Sequence, residues 1–347
     1  MYDSVVIGAG IAGTTLALYL RKSGRKVLLI GDKAESSSHV AAGIVNPITG
    51  RKFVLSWNFP ELIEEAKSFF QSHTFPNHFK NIPVYRALKQ VGDYNEWDAK
   101  STQPTIVEYG KSIGDHDFFS NIWADEVQDW LKISHGGRLD IPSFLKDAHK
   151  ELQRDNAFLE RRIHVSDLLV QDRRIYLRDI DAGEIFLAEG VGPQNGLLGS
   201  TPLRPAKGEV LLLKAEDLPE NLILKNQFFL VHLQEDTYWF GSNYQRSSNA
   251  LPTKKTYNEM ISFLKKNACF PYKIIAHRTG LRPTIPDRRP VVGRLPNSIN
   301  CYIFNGMGSK GSSLSPWCAR QLVDFLDKGM ELDREIDSMR YADRWAI

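Results

Sequence analysis

The chain has 347 residues, of which 42% are hydrophobic and 24% are charged, and its formal net charge is +3. This ordinary globular composition, in a chain too long for one hydrophobic core, predicts two domains. The small net charge and the lack of a Lys/Arg run argue against a nucleic-acid-binding protein, which needs a basic surface.

The N-terminal segment is apolar from Val5 to Leu20, which is the length of a signal peptide. It has no basic region before the apolar stretch, and glycines interrupt it, so a strand that begins at residue 2 is the better interpretation. No other stretch is long and uncharged enough to span a bilayer. We therefore expect a soluble, cytoplasmic protein without a membrane span.

The first thirty residues predict a βαβ unit. Tyr2–Ile7 is typical of a buried strand, and Ile11–Ser23 of a helix that ends before Gly24. Lys26–Ile30 is typical of a second buried strand. Two strands joined by a helix in so short a segment must pair in parallel.

The later elements are less regular. The predicted helices are Pro60–Gln71, Leu139–Leu152, Thr253–Asn267 and Ser315–Leu326. The predicted strands are Phe158–Val165, Leu168–Val170, Ile175–Arg178, Ile185–Glu189, Gly208–Lys214, Phe228–Leu233, Tyr238–Gly241 and Cys301–Phe304. All but the last follow a period-two pattern that favours an antiparallel sheet.

Regular alternation of strand and helix is confined to the two ends of the chain. The predicted α/β fold therefore has a discontinuous, Rossmann-like nucleotide-binding domain, which uses residues 1–80, 135–205 and 275–347. Residues 81–134 and 206–274 are predicted to form a second, substrate-binding domain built on a mainly antiparallel β-sheet.

A glycine motif follows the first strand and opens the first helix. Its first glycine makes a tight turn, the second lets the backbone approach a pyrophosphate, and the third lets the helix pack closely on the strand. Phosphates then lie at the helix N-terminus, where free N–H groups and the helix dipole favour an anion. The alternative is a glycine-rich turn without a ligand. The predicted cofactor contacts are Gly8, Gly10, Ile11, Ala12 and Gly13.

An acidic residue is expected at the end of the second strand, where it would bind the ribose hydroxyls of the dinucleotide. Gly31 stands at that place, and Asp32 follows one residue later. Asp32 reaches the ribose if the strand end bends, which Gly31 permits, and otherwise it is a turn residue in solvent. This segment lacks the basic cluster that would indicate binding of a ribose 2′-phosphate.

Two blocks near the C-terminus distinguish FAD from NAD, which the glycine motif alone does not. The first reads Gly-Leu-Arg-Pro-Thr-Ile-Pro-Asp over Gly280–Asp287 and continues to Gly293. The second reads Phe-Asn-Gly-Met-Gly-Ser-Lys-Gly over Phe304–Gly311 and ends at Ser315–Pro316. This pattern resembles the family of amine-oxidising flavoproteins that includes D-amino-acid oxidase, glycine oxidase and sarcosine oxidase. The resemblance implies an oxidoreductase with an FAD cofactor.

Weaker similarities to this family extend over the rest of the chain. Ala41–Gly43 resembles the small-residue segment that lines the isoalloxazine, which implies that Ala42 and Gly43 contact the cofactor. Gly137–Leu145 resembles the segment before the middle helix. Pro202–Gly208 and Gly241–Asn243 resemble the entry to the substrate domain and one of its strand ends.

The segment from Gly306 to Ser315 also suits a flavin on physical grounds. A reduced flavin gains negative charge at N1 and the C2 carbonyl, and a glycine loop that leads into a helix offers N–H donors and a positive dipole end. An ordinary strand-to-helix turn is the alternative. The predicted contacts are Gly306, Gly308, Ser309, Lys310 and Gly311.

Arg282 is the predicted carboxylate-binding residue. It precedes a proline that would stiffen a loop, and a guanidinium can bind a carboxylate through two parallel hydrogen bonds. The resemblance to glycine oxidase implies that it binds the substrate carboxylate. The alternative is a salt bridge to Asp287 or another nearby acid.

Three further residues are candidates for the substrate site. Glycine oxidase-like sequences place an arginine nearest Ser309, where this chain departs from the pattern, so Lys310 either supplies the missing cation or faces solvent. Arg51 is a second candidate for anion contact, or else part of a solvated basic turn. Tyr244 follows a predicted strand end and either reaches the substrate or belongs to the core.

Motifs of other enzyme classes are missing. No His-x-x-x-His pair or Cys/His cluster predicts a metal, no Gly-x-Ser-x-Gly predicts a hydrolase, and no Cys-x-x-Cys predicts a disulfide reductase. Cys269, Cys301 and Cys318 are expected to be buried thiols. In sarcosine oxidases a cysteine can carry the flavin covalently, and because Gly280–Arg282 has none, the resemblance implies non-covalent FAD.

The combined prediction is an FAD-dependent oxidoreductase that oxidises the C–N bond of a small amino acid or secondary amine. Hydride transfer to flavin N5 gives an imine, and oxygen or another acceptor reoxidises the flavin. The expected partner is a small-molecule substrate with a carboxylate, and no nucleic acid. Two alternatives stay open: a dehydrogenase or 2-hydroxy-acid oxidase on the same fold, and a flavoprotein that acts on an aminomethyl-acid group of a tRNA base.

Overall fold

The computed structural model describes residues 1–32, 36–72, 75–114, 117–124, 127, 129–171, 174–192, 201–296 and 298–344. Within these ranges, no helix combines the length and hydrophobicity needed to cross a membrane.

The chain is built from many short strands and a smaller number of helices. The strands of the first half are β1 (Tyr2–Ile7), β2 (Val27–Gly31), β3 (Ile44–Val45), β4 (Ile48–Thr49), β5 (Val54–Leu55), β6 (Phe79–Lys80), β7 (Val84–Leu88), β8 (Gly110–Ser112), β9 (Asp129–Ile133), β10 (Gly137–Leu139) and β11 (Phe158–Glu160). Those of the second half are β12 (Leu168–Gln171), β13 (Arg174–Leu177), β14 (Ile180–Leu187), β15 (Ala206–Lys214), β16 (Ile223–Lys225), β17 (Phe229–Gln234), β18 (Thr237–Gly241), β19 (Gln245–Arg246), β20 (Lys273–Arg282), β21 (Val291–Arg294) and β22 (Cys301–Asn305). The helices are α1 (Ile11–Lys22), α2 (Ser37–Val40), α3 (Phe59–Phe70), α4 (Val91–Ser101), α5 (Asp117–Ser120), α6 (Ile141–Arg154), α7 (Lys254–Asn267) and α8 (Gly311–Lys328).

The first sheet contains the predicted βαβ unit, which is confirmed. Its parallel part runs in the order β11-β2-β1-β14-β22, with β1 between β2 and β14. Both β2 and β22 are buried along their whole length, because α1 and α8 cover one face and a second apolar cluster covers the other. The carboxyl ends of β1 and β2 therefore meet the start of α1 at one edge of the sheet.

The predicted antiparallel pairing of the strands between residues 158 and 189 is wrong in part. Antiparallel pairing is limited to β12, β13 and the start of β14, where β12 pairs with β13 and β13 pairs with β14. In contrast, β11 and the end of β14 join the parallel part. Three consecutive residues of β14, Ile185, Phe186 and Leu187, are buried, which is the pattern of a strand covered on both faces.

The second sheet is mainly antiparallel, as predicted. It runs in the order β19-β15-β18-β17-β16-β7-β9-β8, and β20 pairs with β15. The pairing of β16 with β7 is parallel. Both faces are apolar: Val210, Val231 and Trp239 pack towards the first sheet, and Leu211 and Leu230 pack towards α7. The sheet thus separates two hydrophobic cores.

Arg282 lies at the end of a strand and not in a loop, which corrects the prediction. β20 pairs with β15 from Lys214↔Lys273 to Ala206↔Arg282. The strand has few apolar residues because it lies outside β15 and is partly exposed along its length, so the sequence pattern did not indicate it. β20 also crosses the predicted domain boundary at residue 275, and the domain limits stay a prediction.

Three further differences concern local structure. α8 begins at Gly311, four residues before the predicted start, and Pro316 lies inside the helix as its sixth residue. α4 was not predicted, because its sequence is polar and only Trp97 is buried. Cys269 is exposed, in contrast to the buried Cys301 and Cys318, because it follows α7 at the surface.

A buried ionic cluster ties the second sheet to the start of α7. Glu209 is fully buried, and the Nζ atom of Lys207 lies 3.0 Å from its carboxylate. The Nε2 atom of His277 lies 3.1 Å from the other carboxylate oxygen. The backbone N–H of Thr253, which precedes α7, donates to Glu209 over 2.7 Å, and Lys207 donates to the carbonyl of Leu251 over 3.1 Å. The segment that leads into α7 is therefore fixed to the back of the sheet.

Candidate active site

A cavity of about 840 Å³ lies between the two sheets. One wall contains the turn after β1, the end of β2, α2, the end of β11 and the start of α8. The opposite wall comes from the second sheet and includes Gly208, Val210, Phe229, Trp239 and Arg282. Its volume and partly apolar lining are typical of a cofactor or ligand site.

The glycine motif forms a tight turn at this cavity. Gly8 has a φ of +111°, and a Cβ there would overlap the carbonyl of Ala188. A Cβ at Gly13 would overlap the carbonyl oxygen of Gly8, so Gly13 packs the helix on the strand without lining the cavity. Gly8, Gly10, Ile11 and Ala12 all line it.

Ser38 contacts the glycine turn, and the sequence did not indicate this contact. Its hydroxyl lies in α2 and accepts a hydrogen bond of 3.0 Å from the N–H of Ile11, at the start of α1. A Cβ on Gly10 would lie 3.0 Å from the same hydroxyl. The three serines before His39 are the only signal in the sequence, and they read there as a polar turn.

The end of β2 explains the missing acidic residue. The strand extends to Gly31, and a Cβ there would overlap the Cβ of Ala9 in the glycine turn. No larger side chain fits at that position. Asp32 lines the cavity and is exposed, so its contact with a ribose stays a prediction.

The loop before α8 lies at the same cavity. Gly306 and Gly308 have positive φ angles of +79° and +56°. Gly308, Ser309, Lys310 and Gly311 line the cavity, whereas Gly306 lies behind them, where a Cβ would be 2.8 Å from Ile285. Within the described residues no side chain caps α8. The N-termini of α1 and α8 therefore point at one cavity, and both favour negative charge.

Ala42 and Gly43 also line the cavity, and Arg138 holds this segment in place. The buried guanidinium of Arg138 donates from Nε to the carbonyl of Ala42 over 3.2 Å and from NH1 to the carbonyl of Leu233 over 3.1 Å. A Cβ on Gly43 would overlap the carbonyl of Leu139. Sequence reasoning missed Arg138, although it lies in the segment similar to the family.

Arg282 lines the cavity with its guanidinium folded over the backbone of Gly208, where a Cβ would overlap it. It donates to the hydroxyl of Ser242 over 2.5 Å, to the carbonyl of Lys207 over 3.2 Å and to that of Asn243 over 3.3 and 3.4 Å. Burial lowers its pKa from the usual value.

The alternative salt bridge from Arg282 to Asp287 is not made. Asp287 instead accepts a hydrogen bond of 2.9 Å from Arg340. Within the described part of the chain, the guanidinium of Arg282 donates only to uncharged oxygens. Its guanidinium therefore remains able to bind an anion that enters the cavity.

The other predicted substrate contacts divide into two groups. Lys310 lines the cavity, its Nζ lies 3.1 Å from the hydroxyl of Ser56, and burial together with Arg289 and Arg288 lowers its pKa. Arg51 is exposed and does not line the cavity. Tyr244 is 63% exposed and outside the lining, although its ring lies 5.6 Å from the Arg282 guanidinium.

His149 adds a buried imidazole near the glycine turn. Its Nε2 atom lies 3.0 Å from the hydroxyl of Thr14, and its ring stacks on Phe158 at 4.6 Å. Both aromatic rings line the cavity. Burial, together with the charge of His39, lowers the pKa of His149 to about 4, so the imidazole is neutral at pH 7.

The residues present fit a flavin dinucleotide. The glycine turn brings backbone close to the cavity at Gly10, the start of α1 offers N–H groups to a pyrophosphate, and the start of α8 offers a second positive dipole end. The small residues Ala42 and Gly43 leave room for a flat ring system between the two walls.

Comparison with known proteins agrees with this geometry. The chain is 23% identical to the tRNA 5-methylaminomethyl-2-thiouridine biosynthesis bifunctional protein MnmC of Leptospira interrogans, over 97% of the chain. It spans only 59% of that relative's length. It is also 23% identical to the glycine oxidase of Pseudomonas aeruginosa, over 93% of this chain and 94% of the relative. The glycine oxidase structure from Bacillus cereus has the same fold, with a TM-score of 0.78, 16% identity and coverage of 99% and 98%.

A family profile also matches most of the chain. The profile described as FAD dependent oxidoreductase matches residues 3–325. This range contains the glycine turn, the loop before α8 and both walls of the cavity. The chain belongs to the family of FAD-dependent oxidoreductases that also contains glycine oxidase.

Proposed function

We propose that this FAD-dependent oxidoreductase oxidises the C–N bond of a small amino acid or secondary amine whose carboxylate binds to Arg282. The observation that carries the proposal is the place of Arg282. It lines the cavity opposite the glycine turn and the loop before α8, on the wall formed by the second sheet.

The guanidinium of Arg282 is suited to exchange its present partners for a carboxylate. Three of its four hydrogen bonds are long, at 3.2 to 3.4 Å, and go to backbone carbonyls. A carboxylate accepts stronger, charge-assisted hydrogen bonds, and it would also offset the unfavourable burial of the positive charge. Gly208 leaves the space that this side chain needs.

The charge of the cavity also favours the reactive form of the amine. Bound FAD supplies a hydride acceptor, and an amine can lose hydride from the neighbouring carbon only when its nitrogen is unprotonated. Arg282 and Lys310 both line the cavity. Their positive charges lower the pKa of a nearby ammonium group, and Phe229 and Trp239 reduce the access of water. No side-chain base is required.

The similar proteins support an amine substrate. One is named a glycine oxidase, and another is named for the biosynthesis of a methylaminomethyl group in tRNA. Glycine and a methylaminomethyl group both contain a C–N bond next to a small carbon group.

The same similarity favours one second candidate, which is the amine of a modified tRNA base. It requires that a polynucleotide reach the cavity. The net charge of +3 offers little electrostatic attraction for one, so the small amine is preferred.

The proposal is tested by anaerobic flavin reduction with paired compounds. Glycine, N-methylglycine, proline and alanine are compared with methylamine, dimethylamine, pyrrolidine and ethylamine, which lack the carboxylate. We expect at least one amino acid to bleach the flavin at far lower concentration than its partner. Bleaching by lactate alone would indicate a 2-hydroxy-acid oxidase, and bleaching by tRNA alone would indicate the second candidate. Turnover with oxygen or with a dye then separates an oxidase from a dehydrogenase.

A further inference from the structure

A dinucleotide-binding fold usually places an acidic residue at the end of β2. In this chain no acidic side chain fits at that position. Gly31 occupies the position, and any Cβ there would overlap Ala9. The ribose of a bound adenosine would still present two hydroxyl donors to this edge of the sheet, and a carboxylate is an acceptor that would suit both.

The neighbouring strand supplies a carboxylate at the same level. β11 pairs in parallel with β2, and Glu160 is in register with Gly31. Neighbouring strands are about 4.8 Å apart, which is within the reach of a glutamate side chain. Glu160, Gly31 and Asp32 all line the cavity.

The direction of the Glu160 side chain follows from the strand that carries it. Two residues earlier, Phe158 and Leu29 are also in register, and both pack in the core on the α1 side of the sheet. Because side chains alternate along a strand, Glu160 points to that same side, where the glycine turn lies. Phe158 stacks on His149 and so anchors the strand.

Asp32 is less well placed for the same task. β2 ends at Gly31, and in an extended continuation Asp32 would point to the opposite face of the sheet from Gly31. A side chain on a strand is held more closely than one that follows a strand end. We propose that Glu160 of β11 accepts hydrogen bonds from the adenosine ribose of FAD and replaces the acid missing from β2.

The test uses cofactor analogues rather than enzyme activity. The deflavinated protein is titrated with FAD and with its 2′-deoxyadenosine and 3′-deoxyadenosine analogues, and binding is followed by quenching of flavin fluorescence. The variants are Glu160→Gln and the matched control Asp32→Asn. Since Glu160 is exposed, its replacement by Gln should leave the fold intact.

We expect Glu160→Gln to weaken FAD binding about fivefold, because its amide oxygen still accepts a hydrogen bond but the negative charge is lost. Wild type and Asp32→Asn should bind at least one deoxy analogue about tenfold more weakly than FAD, whereas Glu160→Gln should discriminate against the analogues by no more than about threefold, because only the weaker hydrogen bond to a neutral oxygen remains. This ratio is measured within each variant and does not depend on the folded fraction. The proposal is overturned if Glu160→Gln discriminates against the analogues as wild type does, or if Asp32→Asn alone loses the discrimination.

Discussion

Replacement of Arg282 by Met is the most direct test of the substrate wall of the cavity. Methionine keeps most of the length of the side chain and removes all the donors that reach Ser242 and the backbone carbonyls of Lys207 and Asn243. FAD should remain bound, because the glycine turn and the start of α8 lie on the opposite wall.

The size of the effect follows from the contacts that Arg282 now makes. Two charge-assisted hydrogen bonds to a carboxylate contribute roughly 1.5 to 3 kcal/mol each. The gain is reduced because the guanidinium gives up or shares its bonds to neutral oxygens when the substrate binds. We therefore expect a net loss of about 1.4 to 2.8 kcal/mol, which is about tenfold to a hundredfold in substrate affinity.

The assay is anaerobic stopped-flow reduction of the flavin over a range of substrate concentrations. It gives an apparent dissociation constant and a limiting rate for an amino acid and for the matching amine without its carboxylate. Arg282→Met should affect the amino acid mainly in affinity, and also in rate if the carboxylate contact orients the reacting carbon. Arg282→Lys should recover only part of the loss, because it keeps the charge without the paired donors.

Arg51→Met is the matched control, because Arg51 is exposed and outside the cavity lining. The flavin spectrum and the melting temperature of each variant show whether the fold and the cofactor are retained. If Arg282→Met slows the amino acid and the plain amine equally, or affects neither, Arg282 is not the carboxylate-binding residue, and Lys310 becomes the next candidate.

Three other predictions concern the cofactor and its wall. Purified protein should release FAD into the supernatant on acid or heat denaturation, and flavin that stayed with the precipitate would reveal a covalent bond. Gly10→Val should abolish FAD binding in a folded protein, because the valine side chain would enter the space beside Ser38. The control Gly92→Ala should bind FAD normally, because Gly92 has open space around it. Unchanged flavin content in Gly10→Val would show that the turn is not the phosphate site. His149 is neutral in the folded protein and takes up a proton below about pH 6.5 when unfolded, so its contribution to stability is complete above that pH and is lost as the pH falls towards 4. Between pH 7 and pH 5 the unfolding free energy of the apoprotein, measured with urea, should fall by about 2 kcal/mol more in wild type than in His149→Gln, and an equal fall in both would contradict the assignment.

The sequence predicted those parts of the fold in which local pattern and burial agree. The first strand, helix and strand could be read because the glycine spacing and the uniformly apolar strands both indicate the same unit. β20 could not be predicted, because a partly exposed strand at the side of the sheet needs no alternation of apolar and polar residues. The sequence also could not predict where the loops at the strand ends point. Tyr244 and Arg51 were therefore candidates from their sequence positions alone, and both lie outside the cavity lining.

Residues that act by supporting others were the hardest to predict. Arg138 contacts the cavity segment only through the carbonyl of Ala42, and Ser38 through the N–H of Ile11. Such contacts join parts of the chain that are 96 and 27 residues apart, and no local spacing encodes them. The position of Arg282 opposite the glycine turn likewise depends on how the two sheets face each other.

The ionic cluster around Glu209 determines which part of the cavity rim stays closed. Ala250 lines the cavity and stands just before Leu251 and Thr253, which the buried Lys207 and Glu209 side chains hold from behind. An outward movement of this segment would leave Lys207 and Glu209 paired with each other, but it would break the hydrogen bonds that Leu251 and Thr253 make to them, at a cost of about 1.5 to 3 kcal/mol for each bond to a charged group. Fewer than about one molecule in a hundred would then be open at any moment. The segment should therefore stay in place, and we expect substrate and product to enter and leave at another part of the cavity rim.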